Sequence, residues 1–346
     1  MDIRVAMFTI GFISAYIDII MADDEEWKNL EELFYPTRRH LNSLKENVSF
    51  QFDISKDSLQ IGSENTISIK EKLLWKEENR TVADDMRTRV SVLCWIMTLP
   101  QNHMTKAIHV KETWGKRYDK LLFMSTKYDN RLPTVNLGSK ENKSLIWGKT
   151  QEALMYIYKN YLNQAEWFLK ADDETYVIVE NLKYMLNDYN TNDPIYFGFR
   201  IKLNPAKDEF FNGRASYVLS REALTLLVST GLIPRLCSTS PLGYTEIKDL
   251  TNCLEKLGVI LMDTRDKYKT GRFFPFLPNQ HINAETNKNV WFWIYNYYPF
   301  SAGRDCCSEF AISFHQIDSH MMYAMEYFTY HLRPYGISYE YYQMYN

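Results

Sequence analysis

Short apolar runs at 90–97, 120–125 and 166–170 alternate with longer stretches of helical character, and that order of elements narrows the fold more than any other property of the chain. Val90-Ser91-Val92-Leu93-Cys94-Trp95-Ile96-Met97 reads as a buried strand, 106–118 as the helix after it, and Lys120-Leu121-Leu122-Phe123-Met124-Ser125 as a second strand. A loop extends to 144, and 145–161 then has helical periodicity, with Leu154, Ile157, Tyr158 and Tyr161 on one side. Strands that alternate with helices imply parallel strands and right-handed crossovers, an α/β sheet of the nucleotide-binding kind. Ligands of such sheets sit outside the C-terminal strand ends.

The third run, Trp167-Phe168-Leu169-Lys170-Ala171, feeds Asp172-Asp173-Glu174 at such a strand end. Three adjacent like charges repel one another unless a cation sits among them. Hard divalent ions such as Mg²⁺ or Mn²⁺ take carboxylate and phosphate oxygens, so the cluster suits a metal-bound nucleotide. The competing reading is an acidic cap on a following helix, since carboxylates are favoured at helix N-termini. The chain contains no Gly-x-Gly-x-x-Gly or Walker-type loop. Phosphate charge must then be met by a metal and by Lys or Arg, which favours the metal reading.

Composition bounds the rest. With 45% hydrophobic and 24% charged residues among 346, the chain builds a globular body. Its 40 Lys and Arg are offset by 43 Asp and Glu, and a net charge of -3 gives no electrostatic case for nucleic acid. The 25 Tyr supply rings with a polar edge, suited to sugar faces as well as to core packing.

An apolar run at 5–21, interrupted by Asp18, follows Arg4 and precedes Asp23-Asp24-Glu25-Glu26. It reads as the signal anchor of a type II membrane protein, with a cleaved signal peptide or a buried helix as the other readings. Sequons at Asn47, Asn79 and Asn142 agree with a secretory route. So do five cysteines, Cys94, Cys237, Cys253, Cys306 and Cys307; Cys237 and Cys253 are close enough in sequence to staple a loop. The expected organisation is an anchor at 1–22, a charge-rich stem at 23–88, and a folded domain at 89–346.

Several blocks together resemble a known family. They are Val92-Leu93-Cys94-Trp95-Ile96-Met97-Thr98, Lys111-Glu112-Thr113-Trp114, Trp147-Gly148-Lys149-Thr150, the 167–173 strand, and the 213–220 segment. Further on come Trp291-Phe292-Trp293-Ile294-Tyr295-Asn296-Tyr297-Tyr298-Pro299, Cys306-Cys307-Ser308, Ser313-Phe314-His315 and His331-Leu332-Arg333-Pro334-Tyr335-Gly336. In this order they resemble the core 1 β1,3-galactosyltransferase family from residue 90 to about 340. The resemblance implies a GT-A fold in a Golgi type II membrane enzyme with a lumenal catalytic domain. It implies inverting transfer of galactose from UDP-galactose to the 3-hydroxyl of GalNAc on Ser or Thr of a glycoprotein, with Mn²⁺. It further implies Met97, Lys149, Asp172 and Asp173 at the nucleotide, and Asp172, Glu174 and His315 at the metal. Glu246 falls at the general base, and Trp293, Tyr295 and Tyr297 at the acceptor. Read without the family, Lys149 is equally a solvated helix residue, His315 a hydrogen-bonded core histidine, and the 291–298 rings core packing.

The chain departs from the family at five places. Glu174 stands where the family has a third aspartate, and Glu246-Ile247 where it has Glu-Asp, with Asp249 two residues on. Phe273-Phe274-Pro275-Phe276 replaces Phe-His-Pro-Phe, and Gly213-Arg214-Ala215-Ser216 replaces a Gly-Gly-Ala-Gly turn. Tyr118 replaces a cysteine, which leaves Cys94 as the odd thiol. A second function class follows from these losses: a weak or silent relative that acts as binding partner or chaperone of a sister transferase, as the family's chaperone does; a homodimer is the other partner reading. That chaperone lacks the acidic motif, so Asp172 and Asp173 argue for the enzyme.

Overall fold

In a computed structural model of the chain, the described residues are 81–138, 146–204, 208–237, 246–283, 295–299 and 303–335. They belong to a unit spanning 77–346. The 5–21 run, the three sequons and Trp293 lie outside the described residues. Among the described residues, no helix is long and apolar enough to cross a membrane.

The first half of the domain runs α1 (Thr81–Arg89), β1 (Val92–Met97), α2 (Ile108–Glu112), β2 (Lys120–Ser125), β3 (Thr134–Asn136), α3 (Ile146–Tyr161), β4 (Trp167–Asp172), β5 (Tyr176–Val177) and α4 (Val179–Leu186). The second half runs β6 (Ile195–Asn204), β7 (Asp208–Ser220), α5 (Arg221–Thr225), α6 (Glu246–Lys256), β8 (Ile260–Leu261), β9 (Phe273–Phe274), α7 (Pro278–Ile282), β10 (Ser313–Phe314) and α8 (Ser319–Tyr330). Seven strands form one sheet in the order β3-β2-β1-β4-β7-β6-β8, and β5-β10-β9 form a second. In the large sheet β3, β2, β1 and β4 are mutually parallel, and β7 runs against both β4 and β6. The mixed α/β class with a mostly parallel sheet is therefore as the sequence predicts.

β1 shows why. Its residues are buried on both faces, as in a sheet covered by helices on either side. Leu93 and Trp95 pack with Leu154 and Ile157 of α3, while Cys94 and Ile96 pack on the opposite side with Trp114 and Leu182. The period of two sends alternate side chains to separate cores.

Two expectations change. Residues 81–88, read as the end of the stem, form most of α1, whose Met86 is buried in the core beside Val90. The helix predicted over 106–118 is broken instead: a π-turn at His103–Ala107, then α2, then a 3₁₀ turn at Trp114–Arg117. Thr113 interrupts it, donating its hydroxyl to the His109 carbonyl at 2.6 Å, a local bond that competes with the helix ladder. Gly115 then packs so close that a Cβ would sit 2.6 Å from the Val110 carbonyl oxygen.

Cys237 and Cys253 are disulfide-bonded, tying α6 to the segment after α5. The neighbours Cys306 and Cys307 bond to each other. Cys94 is the free thiol, buried, and burial pushes its pKa well up. Tyr118, edge-on to Trp114, fills the neighbouring core.

Candidate active site

β4 ends on Asp172, so the acidic cluster begins within the strand rather than after it. The parallel register sets Met97, the last residue of β1, opposite Asp172. The next residue, Thr98, donates its hydroxyl to Asp173 at 2.6 Å, and Asn102 donates its amide at 3.0 Å. Asp173 is buried, and burial raises its pKa to about 6 against the pull of these donors and of Lys106. Glu174 is paired with the Lys106 ammonium. Its backbone carbonyl accepts the Ile317 N–H at 2.9 Å, which fixes the turn against the chain after β10.

Lys170 organises the other side. It sits in the middle of β4 at 4% exposure, beside Tyr217 of β7. Its ammonium lies 2.7 Å from Asp172 Oδ1 and 4.0 Å from Glu246 Oε1. A buried ammonium is costly unless paired, and here two acids from different elements face one cation. Glu246 opens α6 and also accepts the Thr150 hydroxyl at 2.7 Å. Thr150 follows Lys149 on α3, and both are buried. Burial holds the Tyr217 phenol well above its ordinary pKa, with the charges of Glu246 and Asp172 adding to the effect.

His315 follows β10 and is buried. Its Nδ1 is 3.0 Å from Thr175 Oγ1, and its backbone N–H reaches the Phe274 carbonyl at 3.1 Å. Beneath it, Ser216 Oγ bonds Ser313 Oγ at 3.0 Å. Ser216 holds φ at 72°, the left-handed region, which accounts for the family's glycine at this place. Phe274 is a core residue stacked on Phe314, with ring centroids 4.8 Å apart.

The structure thus gathers Met97, Asp172, Asp173 and Glu246 around one end of β4, with Lys149 buried on α3 next to Thr150, which bonds Glu246. It treats the expected metal set differently. Asp172, Glu174 and His315 supply suitable donor types for Mn²⁺, two carboxylates and an imidazole. Yet among the described residues no group of three or more His, Cys, Asp or Glu is placed to hold an ion. Asp172 is paired with Lys170, Glu174 with Lys106, and Nδ1 of His315 with Thr175.

Tyr297 lies against β6. Asn296 bridges to Ile201 of β6, and the Tyr297 N–H reaches the Arg200 carbonyl at 3.3 Å. The Arg200 guanidinium lies 4.9 Å from the Tyr297 ring centroid. Asp249, a turn after Glu246, carries a buried Oδ2 with no hydrogen-bond partner among the described residues, and burial raises its pKa. Sequence reasoning overlooked Lys170, Thr98, Asn102, Lys106 and Thr150. Only Lys170 left a signal, a lysine inside an otherwise apolar strand.

A buried lysine shared between a strand-end aspartate and an acid brought in by a helix N-terminus forms a polar site at the ligand-binding end of an α/β sheet, and the relatives of this chain identify the domain as a glycosyltransferase. A model of the Fringe-like family matches residues 88–262, and the chain belongs to that family. It is 44% identical over 269 residues to glycoprotein-N-acetylgalactosamine 3-beta-galactosyltransferase 1 of Xenopus laevis, covering 76% of this chain and 73% of that protein. A beta-1,3-glucosyltransferase of Mus musculus is 28% identical over 39% of this chain and 28% of its own length. A solved glycosyltransferase involved in glycosylation of the major capsid of PBCV-1 overlaps at 12% identity with a TM-score of 0.33, over 51% of this chain and 82% of that one, too weak a likeness to add to the fold already described.

Proposed function

We propose that the chain transfers galactose from UDP-galactose to the 3-hydroxyl of GalNAc on Ser or Thr of glycoproteins, with inversion. The observation that carries this reading is Glu246. A helix 74 residues beyond Asp172 delivers its carboxylate to within 4.0 Å of the ammonium that holds Asp172. In this reading Glu246 takes the proton from the acceptor hydroxyl, and general-base help of this kind contributes about 10²–10⁴ in rate. Lys170 and Thr150 orient Glu246. Asp173, anchored by Thr98 and Asn102, shapes the turn on which a nucleotide rests, and Lys149 adds positive charge.

Mn²⁺ dependence belongs to the same proposal. Asp172, Glu174 and His315 are the residues that would hold the ion, and it would supply charge stabilisation to the departing diphosphate. The 44% identity to a named galactosyltransferase supports the donor and acceptor. Retention in the Golgi membrane by the 5–21 segment, lumenal domain outward, completes the reading.

The test uses the full-length chain in detergent-solubilised membranes, with UDP-galactose, Mn²⁺ and a GalNAc-bearing peptide. Galactosylated product that disappears in Asp172→Ala and Glu246→Gln supports it. The absence of product, together with capture of a sister transferase, would establish the second reading, a non-catalytic partner. The Lys106–Glu174 pairing is the observation that favours that alternative, because it closes an acid the metal would need.

A further inference from the structure

A cleft of about 370 Å³ opens beside the small sheet. Arg200, Arg265, Lys269 and Arg272 line it together with Tyr298 and Asp305. Four cations thus face one lining carboxylate. Asp263, next to the cleft, offsets one of them, holding Arg265 Nη2 at 2.8 Å. The Arg265 guanidinium lies 3.5 Å from the Tyr298 ring centroid and Arg200 lies 5.6 Å from it, so the aromatic face holds two like charges together. Arg272 Nε is buried with no hydrogen-bond partner among the described residues.

The walls are pinned. Asp266 accepts the Tyr268 and Thr270 N–H groups, each at 2.9 Å, and the Thr270 hydroxyl at 2.5 Å. That loop presents exposed Lys269 in the left-handed region, at φ 68°. On the floor, Gly271 pairs with Cys307 of the bonded cysteine pair, and its carbonyl takes the Ser308 N–H at 2.9 Å. A fixed cluster of like charges is unfavourable in the free protein and favourable once an anion enters. One core residue links the cleft wall to the site. Phe274 lines it, and the Phe274 carbonyl accepts the His315 N–H at 3.1 Å.

We propose that this cleft binds acidic side chains of the acceptor polypeptide flanking the glycosylated residue, selecting glycoproteins with Asp or Glu near the sugar. It rests on the galactosyltransferase reading for its substrate, while the carboxylate recognition itself is a property of the cleft. Guanidinium groups recognise carboxylates by paired N–H donors, and Lys269 contributes a point charge at the rim.

The experiment compares GalNAc-threonine peptides flanked by Glu, Gln or Lys, using the full-length chain and its Lys269→Glu and Arg272→Gln variants at low and high salt. For the native chain, the expected KM for the Glu peptide is about fivefold below that for the Gln peptide at low salt, the scale of one partly screened charge pair. That preference shrinks at high salt. Lys269→Glu abolishes it, with kcat on the Gln peptide unchanged. Fluorescence anisotropy with a labelled Glu peptide lacking the sugar reads binding without turnover, and a thermal melt confirms that each variant is folded. Equal KM for Glu and Gln peptides, with turnover intact and no anisotropy change, overturns the cleft and leaves the enzyme. Binding of the sugar-free Glu peptide that weakens in Lys269→Glu, with no turnover of any peptide, supports the cleft and sinks the transferase reading instead.

Discussion

Two acids near the loop that follows β4, Glu326 buried and Glu246 half-buried, are held in opposite ways. Glu326 on α8 takes both ends of the Arg117 guanidinium at 2.9 and 2.8 Å, the Tyr176 hydroxyl at 3.0 Å and the Lys116 ammonium at 2.9 Å. Burial opposes its charge, yet the donors from Arg117 and Lys116 hold its pKa below the ordinary range. Glu246, by contrast, has one hydroxyl and a distant share of a lysine already committed to Asp172. A planar fork locks its partner, whereas an ammonium on a flexible stem can be traded for another charge. The first acid closes the scaffold, and the second is the one the proposed reaction uses.

The sharpest way to break that contrast is Glu246→Gln. It keeps the shape and the Thr150 contact but loses the base, so kcat should fall by about 10²–10⁴ while the melting temperature barely moves. A drop of less than threefold would remove Glu246 from the reaction. Glu326→Ala should do the reverse. It strips the main partner from a half-buried arginine, which keeps Glu180 at 3.8 Å, and costs about 1–3 kcal/mol in denaturant unfolding, with kcat per folded molecule unchanged.

A third buried group, His281, sharpens the comparison because it stays uncharged. Burial holds its imidazole at about 3, below the 6.5 of the unfolded chain. The folded value is the lower, so the unfolded state binds the proton first. Stability is full above pH 6.5 and falls as pH drops toward 3, with a slope approaching about 1.4 kcal/mol per pH unit. His281→Leu should flatten that part of the urea-midpoint profile. The smallest effect is expected at Ser216. Ser216→Gly should be more stable than Ser216→Ala by about 1 kcal/mol, since both lose the bond to Ser313 but only glycine tolerates the positive φ.

Much of this was legible beforehand. The parallel sheet followed from uniformly apolar runs, because a strand buried on both faces has no polar alternation to hide. Asp172 emerged from its place at a strand end, and Glu246 from likeness to the family. The broken helix at 103–117 was not legible, since its break depends on Gly115 packing against Val110. The lysines escaped because a charged residue in sequence carries no sign of its partner.

Local chemistry in the sequence was enough to determine the elements, the acidic strand end and the family. Only the tertiary structure decided what neutralises those acids. Lys170 and Lys106 reach them from β4 and from the turn before α2, and the Arg200, Arg265 and Arg272 cleft is drawn from two separate segments. Pairing energy depends on distance and burial, and both are properties of the folded chain rather than of residue order.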